Sequence, residues 1–229
     1  MHGRRRARPE RKNMKKKLLI MSVAMVLVCA FAVGMTIAYL TSTDSVVNTF
    51  TVGNVRIKLD EAKVNPDGTP VQGADRVKAN SYKLIPGHIY TKDPMVTVLS
   101  GSEESFIKMT VTFSNSAELD AIFDPTGADL LRIFNGYDSA NWTYKGNTKD
   151  ITANTRTYEF WYKETVAAPT ADEALDPLFD SITVPGNINN DQLKTIAGMT
   201  ITVNAYAIQA DGFADAEAAW EAYPVNPAN

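Results

Sequence analysis

Residues that could carry out catalysis are scarce in this sequence. It contains two histidines and one cysteine, and both His2 and Cys29 lie in the N-terminal region described below. Outside that region His88 is the single histidine, so neither an HExxH zinc motif nor a Cys-His pair can form. A Ser-His-Asp triad would have to use His88, which follows Pro86-Gly87 in a predicted turn. We expect a surface or structural role for His88, and the sequence predicts no catalytic residue and no cofactor.

Carboxylates are the second group with possible chemistry, since they bind calcium and can also cleave glycosidic bonds. Asp120, Asp124 and Asp129 form one candidate calcium cluster, and the segment 187–191 is another. Neither has the ligand spacing of an EF-hand. The many Asp and Glu residues allow numerous catalytic pairings, and none is singled out. We expect these acids to lie in solvated loops and helix caps, and no metal site is predicted.

The middle third of the chain is rich in aromatic side chains, which could stack on sugar rings as a carbohydrate-binding platform. The alternative is that they form the core and the cross-strand contacts of a β-sandwich. We favour the second interpretation, although the sequence leaves both open. The residues concerned are Phe134, Tyr137, Trp142, Tyr144, Tyr158, Phe160, Trp161 and Tyr162.

The N-terminal region has the features of an export signal. Residues 1–17 contain nine Lys or Arg and one Glu, whereas 18–38 carry no charge. Met14 stands directly before three lysines and is a possible translation start. The apolar segment ends in small residues at the positions that a signal peptidase recognises, so we predict cleavage between Ala38 and Tyr39. An uncleaved membrane anchor is the alternative, because the segment has the roughly 20 residues that span a bilayer.

In both cases the basic N-terminal side is expected to stay in the cytoplasm and the remainder to lie outside. Removing the nine bases and one acid of the leader from the 23 basic and 26 acidic residues of the chain leaves 14 and 25, a formal charge of −11. An acidic exterior disfavours binding to nucleic acid and to anionic membranes. No nucleic-acid partner is therefore predicted, and a membrane contact is predicted only through an uncleaved signal. The exported part would also lack cysteine, hence disulfides.

Beyond the leader, the hydrophobic pattern predicts a mainly β protein. Apolar residues alternate with polar ones from Val55 to Leu59 and, most clearly, from Phe106 to Phe113. The other predicted strands are 95–99, 142–145, 157–163, 179–184 and 200–209, with 142–145 and 157–163 forming a hairpin across a turn region at 146–154. Short helices are predicted at 116–123, 170–175, 190–197 and 215–223, a turn at 100–105 and a loop with tight turns at 61–81.

Strands that dominate over short helices indicate a β-sandwich of jelly-roll or immunoglobulin-like kind with short helical insertions, preceded by a hydrophobic signal helix. The predicted organisation is a signal peptide at 1–38, a mobile N-terminal arm at 39–51 that is rich in Ser and Thr, and a β-sandwich domain at 52–229.

Several blocks of the chain resemble one family of exported proteins. These blocks are the long Lys-rich signal, AYLTSTDSVVNTFTVGNVRIKLDE from Ala38, PGHIYTKDPMVTV from Pro86, LFDSITVP from Leu178 and ITVNAYAIQADGFADAEAAW from Ile201. In this order they are similar to the TasA/camelysin-type exported proteins of Gram-positive bacteria, whose leader is removed by a dedicated SipW-type signal peptidase. The resemblance extends from Met14 to about Tyr223.

This resemblance implies a jelly-roll domain that is secreted and acts as a subunit of fibres in the biofilm matrix or at the cell surface. It also implies assembly by strand donation, in which the N-terminal segment freed by the peptidase adds to the sheet of a neighbouring subunit. The implied partners are the peptidase and either further copies of this chain or a related matrix protein. The donor strand would be 39–51, with Tyr39, Leu40, Val46, Val47 and Phe50 as its apolar anchors.

Two other functions remain open at the level of sequence. One is a cell-surface module that binds carbohydrate or another partner through the aromatic residues. The other is a camelysin-like metalloprotease, which the resemblance alone suggests, because no protease motif follows Ala38.

Overall fold

The computed structural model describes residues 54–123, 133–168 and 170–223, together with Lys16, Lys17 and Met21. The chain divides into two compact units, Met1–Thr51 and Val52–Asn229. The predicted cleavage site and donor strand, with Ala38, Tyr39, Leu40, Val46, Val47 and Phe50, lie outside the described residues. Within the described part, no helix is both long enough and apolar enough to cross a membrane.

The described part of the second unit contains eleven strands and three short helices. The strands are β1 (Ile57–Asp60), β2 (Ile89–Thr91), β3 (Met95–Val98), β4 (Ser102–Ser114), β5 (Phe134–Asn135), β6 (Trp142–Asp150), β7 (Thr155–Tyr162), β8 (Val166–Ala168), β9 (Glu173–Ala174), β10 (Ser181–Thr183) and β11 (Ile201–Gln209). The helices are α1 (Ser116–Phe123), α2 (Asn190–Thr195) and α3 (Ala216–Ala222).

The strands form three antiparallel sheets. The largest has the order β11-β4-β7-β6, with β8 also paired to β4. The two smaller sheets have the orders β1-β3-β9 and β2-β10-β5. The prediction of a mostly β protein with few, short helices is therefore confirmed.

Strand β4 is the centre of the fold, and its sequence explains why. Ile107, Met109, Val111 and Phe113 are fully buried, while the residues between them are half-buried, as the two-residue period predicts. The same alternation is confirmed around β1, where Ile57 and Leu59 are half-buried while Arg56 and Lys58 are exposed. The predicted turn at 100–105 is wrong in length: only residues 100–101 turn, and β4 already begins at Ser102.

The predicted hairpin of β6 and β7 is confirmed, but its turn is shorter than expected. The register shifts between Tyr144 and Gly146, and β6 then continues to Asp150. Gly146 has a φ of +124°, a conformation that glycine adopts readily and that suits a bulge. After the bulge the strand pairing resumes, and residues 146–150 of β6 pair with β7. The turn therefore covers only 151–154.

Two other predictions need correction. The helix predicted at 170–175, where Thr170 and Glu173 have capping-box spacing, does not form, because Glu173 and Ala174 form β9 and pair with β3. The Asp172 carboxylate accepts a hydrogen bond from the backbone N–H of Ser100 at 2.8 Å instead of capping its own segment. The predicted strand at 179–184 is reduced to the three residues of β10.

The three other predicted helices are confirmed as α1, α2 and α3. Asn189 caps α2 in a capping box with Gln192, and Asp215 caps α3 by accepting a hydrogen bond from the N–H of Ala218. Ser116 is the first residue of α1.

All three sheets contribute to one hydrophobic core. Phe134 of β5 packs against Phe113, Tyr158 and Phe160 of the largest sheet, at ring-centroid distances of 5.6, 5.6 and 6.2 Å. Phe134, Tyr158 and Phe160, together with Trp142, are buried. Core packing, the interpretation favoured for the aromatic residues, is thus confirmed for these four.

Candidate functional site

The candidate site begins at an open edge of the largest sheet. Strand β11 is terminal in this sheet, and no described strand other than β4 pairs with it. The N–H of Ser114 donates to the Thr200 carbonyl at 3.0 Å, and the N–H of Ala210 donates to the Glu104 carbonyl at 2.8 Å. The residues that make these two bonds on the β11 side, Thr200 and Ala210, both have even numbers. Backbone groups alternate in direction along an antiparallel strand, so those of the odd-numbered residues point away from β4.

The odd-numbered residues of β11 also present the side chains of its core-facing side. Ile201, Val203, Ala205 and Ala207 are half-buried and pack against the core. The side chains of Ala205 and Ala207 are small and lie beside the outward backbone groups. The β11 edge therefore offers hydrogen-bonding groups and apolar surface in the same place.

A cavity of about 880 Å³ lies at the Ile201 end of this edge. Its walls are formed by the loop before β2, by β10, by α2 and by the beginning of β11. The apolar lining residues are Tyr82, Leu84, Tyr90, Ile182, Leu193, Met199 and Ile201.

A second cleft of about 350 Å³ continues from the cavity along the β11 edge. The cavity and the cleft share Ala79, Asn80, Tyr82 and Ile201 in their walls, so they lie side by side. On the other side of the cleft lie Leu59 and the two residues that follow it, facing Ile201, Thr202 and Val203. We call the cavity, the cleft and the β11 edge together the β11 groove.

Two tyrosines hold the wall of the groove opposite β11. Tyr90 is fully buried. Its hydroxyl donates a hydrogen bond to the Lys83 carbonyl and accepts one from the Ile85 N–H, both at 2.6 Å. The Tyr82 hydroxyl donates to the Thr91 carbonyl at 3.1 Å, and the two rings meet edge to face at 5.6 Å. Burial raises the pKa of both hydroxyls, so they remain neutral donors throughout the physiological range. The wall is thus fixed by hydrogen bonds between this loop and β2.

The floor of the cleft contains the charged residues Asp60, Glu61, Lys78 and Lys92. Arg76 donates to Asp60 at 2.5 Å and to Asp93 at 2.7 Å, which joins the end of β1 to the segment before β3. Burial raises the pKa of Asp60, but hydrogen bonds from Lys58 and Arg76 outweigh this effect, and its pKa lies below the usual value. Lys92 and Glu61, both buried, form an ion pair at 2.6 Å.

The predicted turn residue His88 lies near this site without belonging to it. Its ring packs against Tyr90 at a centroid distance of 5.0 Å, and Nε2 is hydrogen-bonded to the backbone carbonyl of Asp67. These contacts attach the 65–68 turn to β2, which is the structural role expected from the sequence.

The two candidate calcium clusters are occupied by other contacts where they are described. Asp120 binds Lys149 and Arg156 at 2.7 and 2.6 Å. In the segment 187–191, Asn189 caps α2 and Asp191 pairs with Lys194 at 2.9 Å. Asp124 and Asp129 lie outside the described residues. Within the described ranges, no group of three or more His, Cys, Asp and Glu residues is placed to hold a metal ion.

The sequence predicts strand β11 but not the groove beside it. The apolar period of 200–209 shows that one face is buried, yet it carries no signal about which neighbours a strand has. Only the short loop before β2 offered a sequence clue, since Tyr82, Leu84 and Tyr90 are apolar residues in a segment with turn chemistry. No protein-family model, curated protein or solved structure matches this chain.

Proposed function

We propose that the protein is an exported structural subunit of extracellular fibres, and that the β11 groove receives the N-terminal arm of a neighbouring copy. The observation that carries this proposal is the open edge of β11 beside an apolar cavity. An edge strand with unpaired backbone groups is a template for an added strand. The resemblance of several sequence blocks to TasA/camelysin-type proteins supports the same conclusion.

The proposed fold of the domain is a jelly-roll sandwich. Backbone hydrogen bonds continue the ladder between the two smaller sheets, from Lys92 to Asp180 at 3.1 Å, from Leu178 to Pro94 at 3.0 Å and from Leu175 to Val96 at 2.9 Å. These bonds join the two smaller sheets into one interrupted layer. Its strand order is β1, then β3 together with β2, then β9 together with β10, and finally β5. This layer would lie opposite the largest sheet, as the two layers of a sandwich do.

The arm has the length and the pattern that the groove requires. The nine residues of β11 span roughly 30 Å, and the 13 residues of 39–51 reach at most roughly 43 Å when extended. Val46 and Phe50 are four residues apart and would therefore point to the same side of a strand. In the groove this side would face the small side chains of Ala205 and Ala207.

Strand donation also explains why the leader would be removed. Tyr39 cannot enter a neighbour's sheet while it is joined to Ala38 and a membrane-embedded segment. We propose that a SipW-type signal peptidase frees the arm outside the cell. Assembly would then involve further copies of this chain or a related matrix protein with the same groove.

The structure provides less support for a carbohydrate platform. Trp142, Tyr158 and Phe160 are buried in the core and cannot stack on a sugar from outside. Trp161 packs against Trp220 at 6.3 Å and has the Lys145 ammonium 4.0 Å from its ring centre.

The test is electron microscopy of chains that differ only in the arm or the edge. We expect 39–229 to form filaments and a chain that starts at Thr51 to stay monomeric. Ala205→Pro removes an N–H that points away from β4, so the fold is retained while strand addition is blocked. Phe50→Asp should also abolish filaments, whereas Ser45→Asp, which adds the same charge to the arm, should not.

Circular dichroism checks that each variant is folded. Filaments from the chain that starts at Thr51, or unchanged filaments from folded Ala205→Pro protein, would contradict strand donation into the β11 groove. Monomers from both the long and the short chain would contradict assembly by this chain alone. Mixing the 39–229 chain with the related matrix protein would then test whether it joins that protein's fibres as an accessory subunit.

A further inference from the structure

A buried lysine, a buried carboxylate and an asparagine meet in the floor of the cleft. Lys92 Nζ lies 2.6 Å from Glu61 Oε2, and Asn80 Nδ2 lies 3.0 Å from Glu61 Oε1. Lys92 and Glu61 are only 6% and 7% exposed. The Glu61 carboxylate therefore contacts the Lys92 amine with one oxygen and the Asn80 carboxamide with the other.

The other contacts of Asn80 fix the orientation of its carboxamide. Its Nδ2 also donates to the Ala62 carbonyl at 2.8 Å, and its Oδ1 accepts from the Val64 N–H at 3.0 Å. An exchange of oxygen and nitrogen would place two donors or two acceptors face to face. The N–H of Val64 polarises the carbonyl of Asn80 and makes its Cγ atom a better electrophile.

We propose that Lys92 and Asn80 form an intramolecular isopeptide bond, with Glu61 as the catalytic residue that carries the protons. The reaction is a transamidation, in which the side-chain amine replaces the ammonia of the carboxamide. It requires no metal, oxidant or further reactant. The proposal is independent of the function proposed above, since it concerns chemistry within one domain.

The first step moves a proton from the Lys92 ammonium to Glu61. This transfer turns two buried charges into two neutral groups and removes the cost of burying them as ions. The neutral amine of Lys92 then attacks Cγ of Asn80. The oxygen of the tetrahedral intermediate is held by the Val64 N–H, as in an oxyanion hole.

The second step releases the leaving group. Glu61 donates its proton to Nδ2 of Asn80 and takes the extra proton from Nζ of Lys92 as the C–Nδ2 bond breaks. The products are an amide between Nζ and Cγ and one molecule of ammonia, which leaves as ammonium with the proton that Lys92 originally carried. The cleft of about 350 Å³, which Glu61, Asn80 and Lys92 all line, is the exit path.

The bond would close a covalent ring over residues 80–92. Tyr82, Leu84 and Tyr90, which line the cavity, lie within this ring. The cross-link would therefore lock the groove wall opposite β11. Such a bond suits a protein without a cysteine beyond position 29, because it provides a covalent clasp where no disulfide can form.

The experiment is mass spectrometry of the full chain. We expect the folded protein to be lighter than its sequence predicts by the mass of one ammonia molecule. Tryptic digestion of the denatured protein should give a branched peptide in which 79–83 is joined to 84–108, since trypsin does not cleave after a substituted Lys92. Asn135-Gly136 can also lose ammonia, through a cyclic imide, so the peptide that contains Asn135 must have its unmodified mass.

Three variants separate the roles. Glu61→Gln and Lys92→Arg should both retain the full mass, because the first removes the proton carrier and the second replaces the nucleophile by a guanidinium. Lys63→Arg, which changes an exposed lysine on the same loop, should keep the loss of ammonia. Folded wild-type protein with its full mass would overturn the proposal, and so would a branched peptide that persists in Glu61→Gln at the wild-type yield.

Discussion

Lys78 Nζ donates a hydrogen bond to the backbone carbonyl of Leu59, at the edge of β1 that faces β11. The N–H of Leu99 bonds to the Arg56 carbonyl at 2.9 Å, so the Leu59 carbonyl points away from β3. Two residues further along, Glu61 and Val77 exchange backbone hydrogen bonds at 2.9 and 2.8 Å. The edge of β1 is thus covered by the 61–81 loop, whereas no described strand covers the facing edge of β11.

Replacing Lys78 with Ala should expose the Leu59 carbonyl and remove a charge that discourages strand pairing. We expect self-association measured by light scattering to begin several-fold faster than in the wild type. Lys63→Ala removes the same charge from an exposed position of the same loop and should leave the rate unchanged. Equal rates for both variants would show that Lys78 does not protect the β1 edge.

The Asp60 carboxylate, 3% exposed and bound by Arg76, should contribute to stability in a pH-dependent way. Asp60→Asn removes one partner of a buried ion pair and should lower the free energy of unfolding by about 2 kcal/mol at pH 7. The pKa of Asp60 is lower in the folded protein than in the unfolded chain. The contribution is therefore complete above about pH 4 and is lost as the pH falls from there through the folded-state pKa.

Urea unfolding of wild type and Asp60→Asn at pH 7, 5 and 3 measures this difference. The difference in unfolding free energy between the two proteins should be equal at pH 7 and 5 and smaller at pH 3. Asp75→Asn, at an exposed position of the same loop, is the control and should show no gap. A gap that widens as the pH falls would mean that the sign assigned to the Asp60 pKa is wrong.

Asn154, in the turn between β6 and β7, caps α1 from outside the helix. Its Oδ1 accepts from the Ala117 N–H at 2.9 Å, its backbone carbonyl accepts from the Ser116 N–H at 3.0 Å, and its Nδ2 donates to Glu118 at 2.8 Å. Its φ is +51°, in the left-handed region that asparagine tolerates.

Asn154→Gly keeps this backbone conformation but removes the cap, so we expect a loss of about 1 kcal/mol in unfolding free energy. Asn154→Ala loses the cap and adds backbone strain, for a total of about 2 kcal/mol. Thermal or urea unfolding gives both values, and Ile151→Ser, at an exposed residue of the same turn, is the control. Equal losses for Gly and Ala would show that the positive φ carries no strain.

The strands with a regular apolar period could be predicted because the period is a local property. In β4 every second residue is buried, and no alternative register places Ile107, Met109, Val111 and Phe113 together. The helix predicted at 170–175 does not form because this segment makes contacts with residues distant in sequence. Asp172 satisfies the N–H of Ser100, and the ladder between β9 and β3 then outweighs a local helix that buries nothing.

By itself, the sequence determined that the longer segments such as β4 and β11 form strands and which of their faces is apolar, because both follow from residue type and spacing along the chain. Only the tertiary structure decided which strand edges stay open and which side chains meet. β11 is an edge strand because, among the described strands, β4 alone pairs with it, whereas the 61–81 loop covers the edge of β1. Glu61, Asn80 and Lys92 come together because three separate segments fold onto one cleft, and no sequence period links residues that only long-range packing brings into contact.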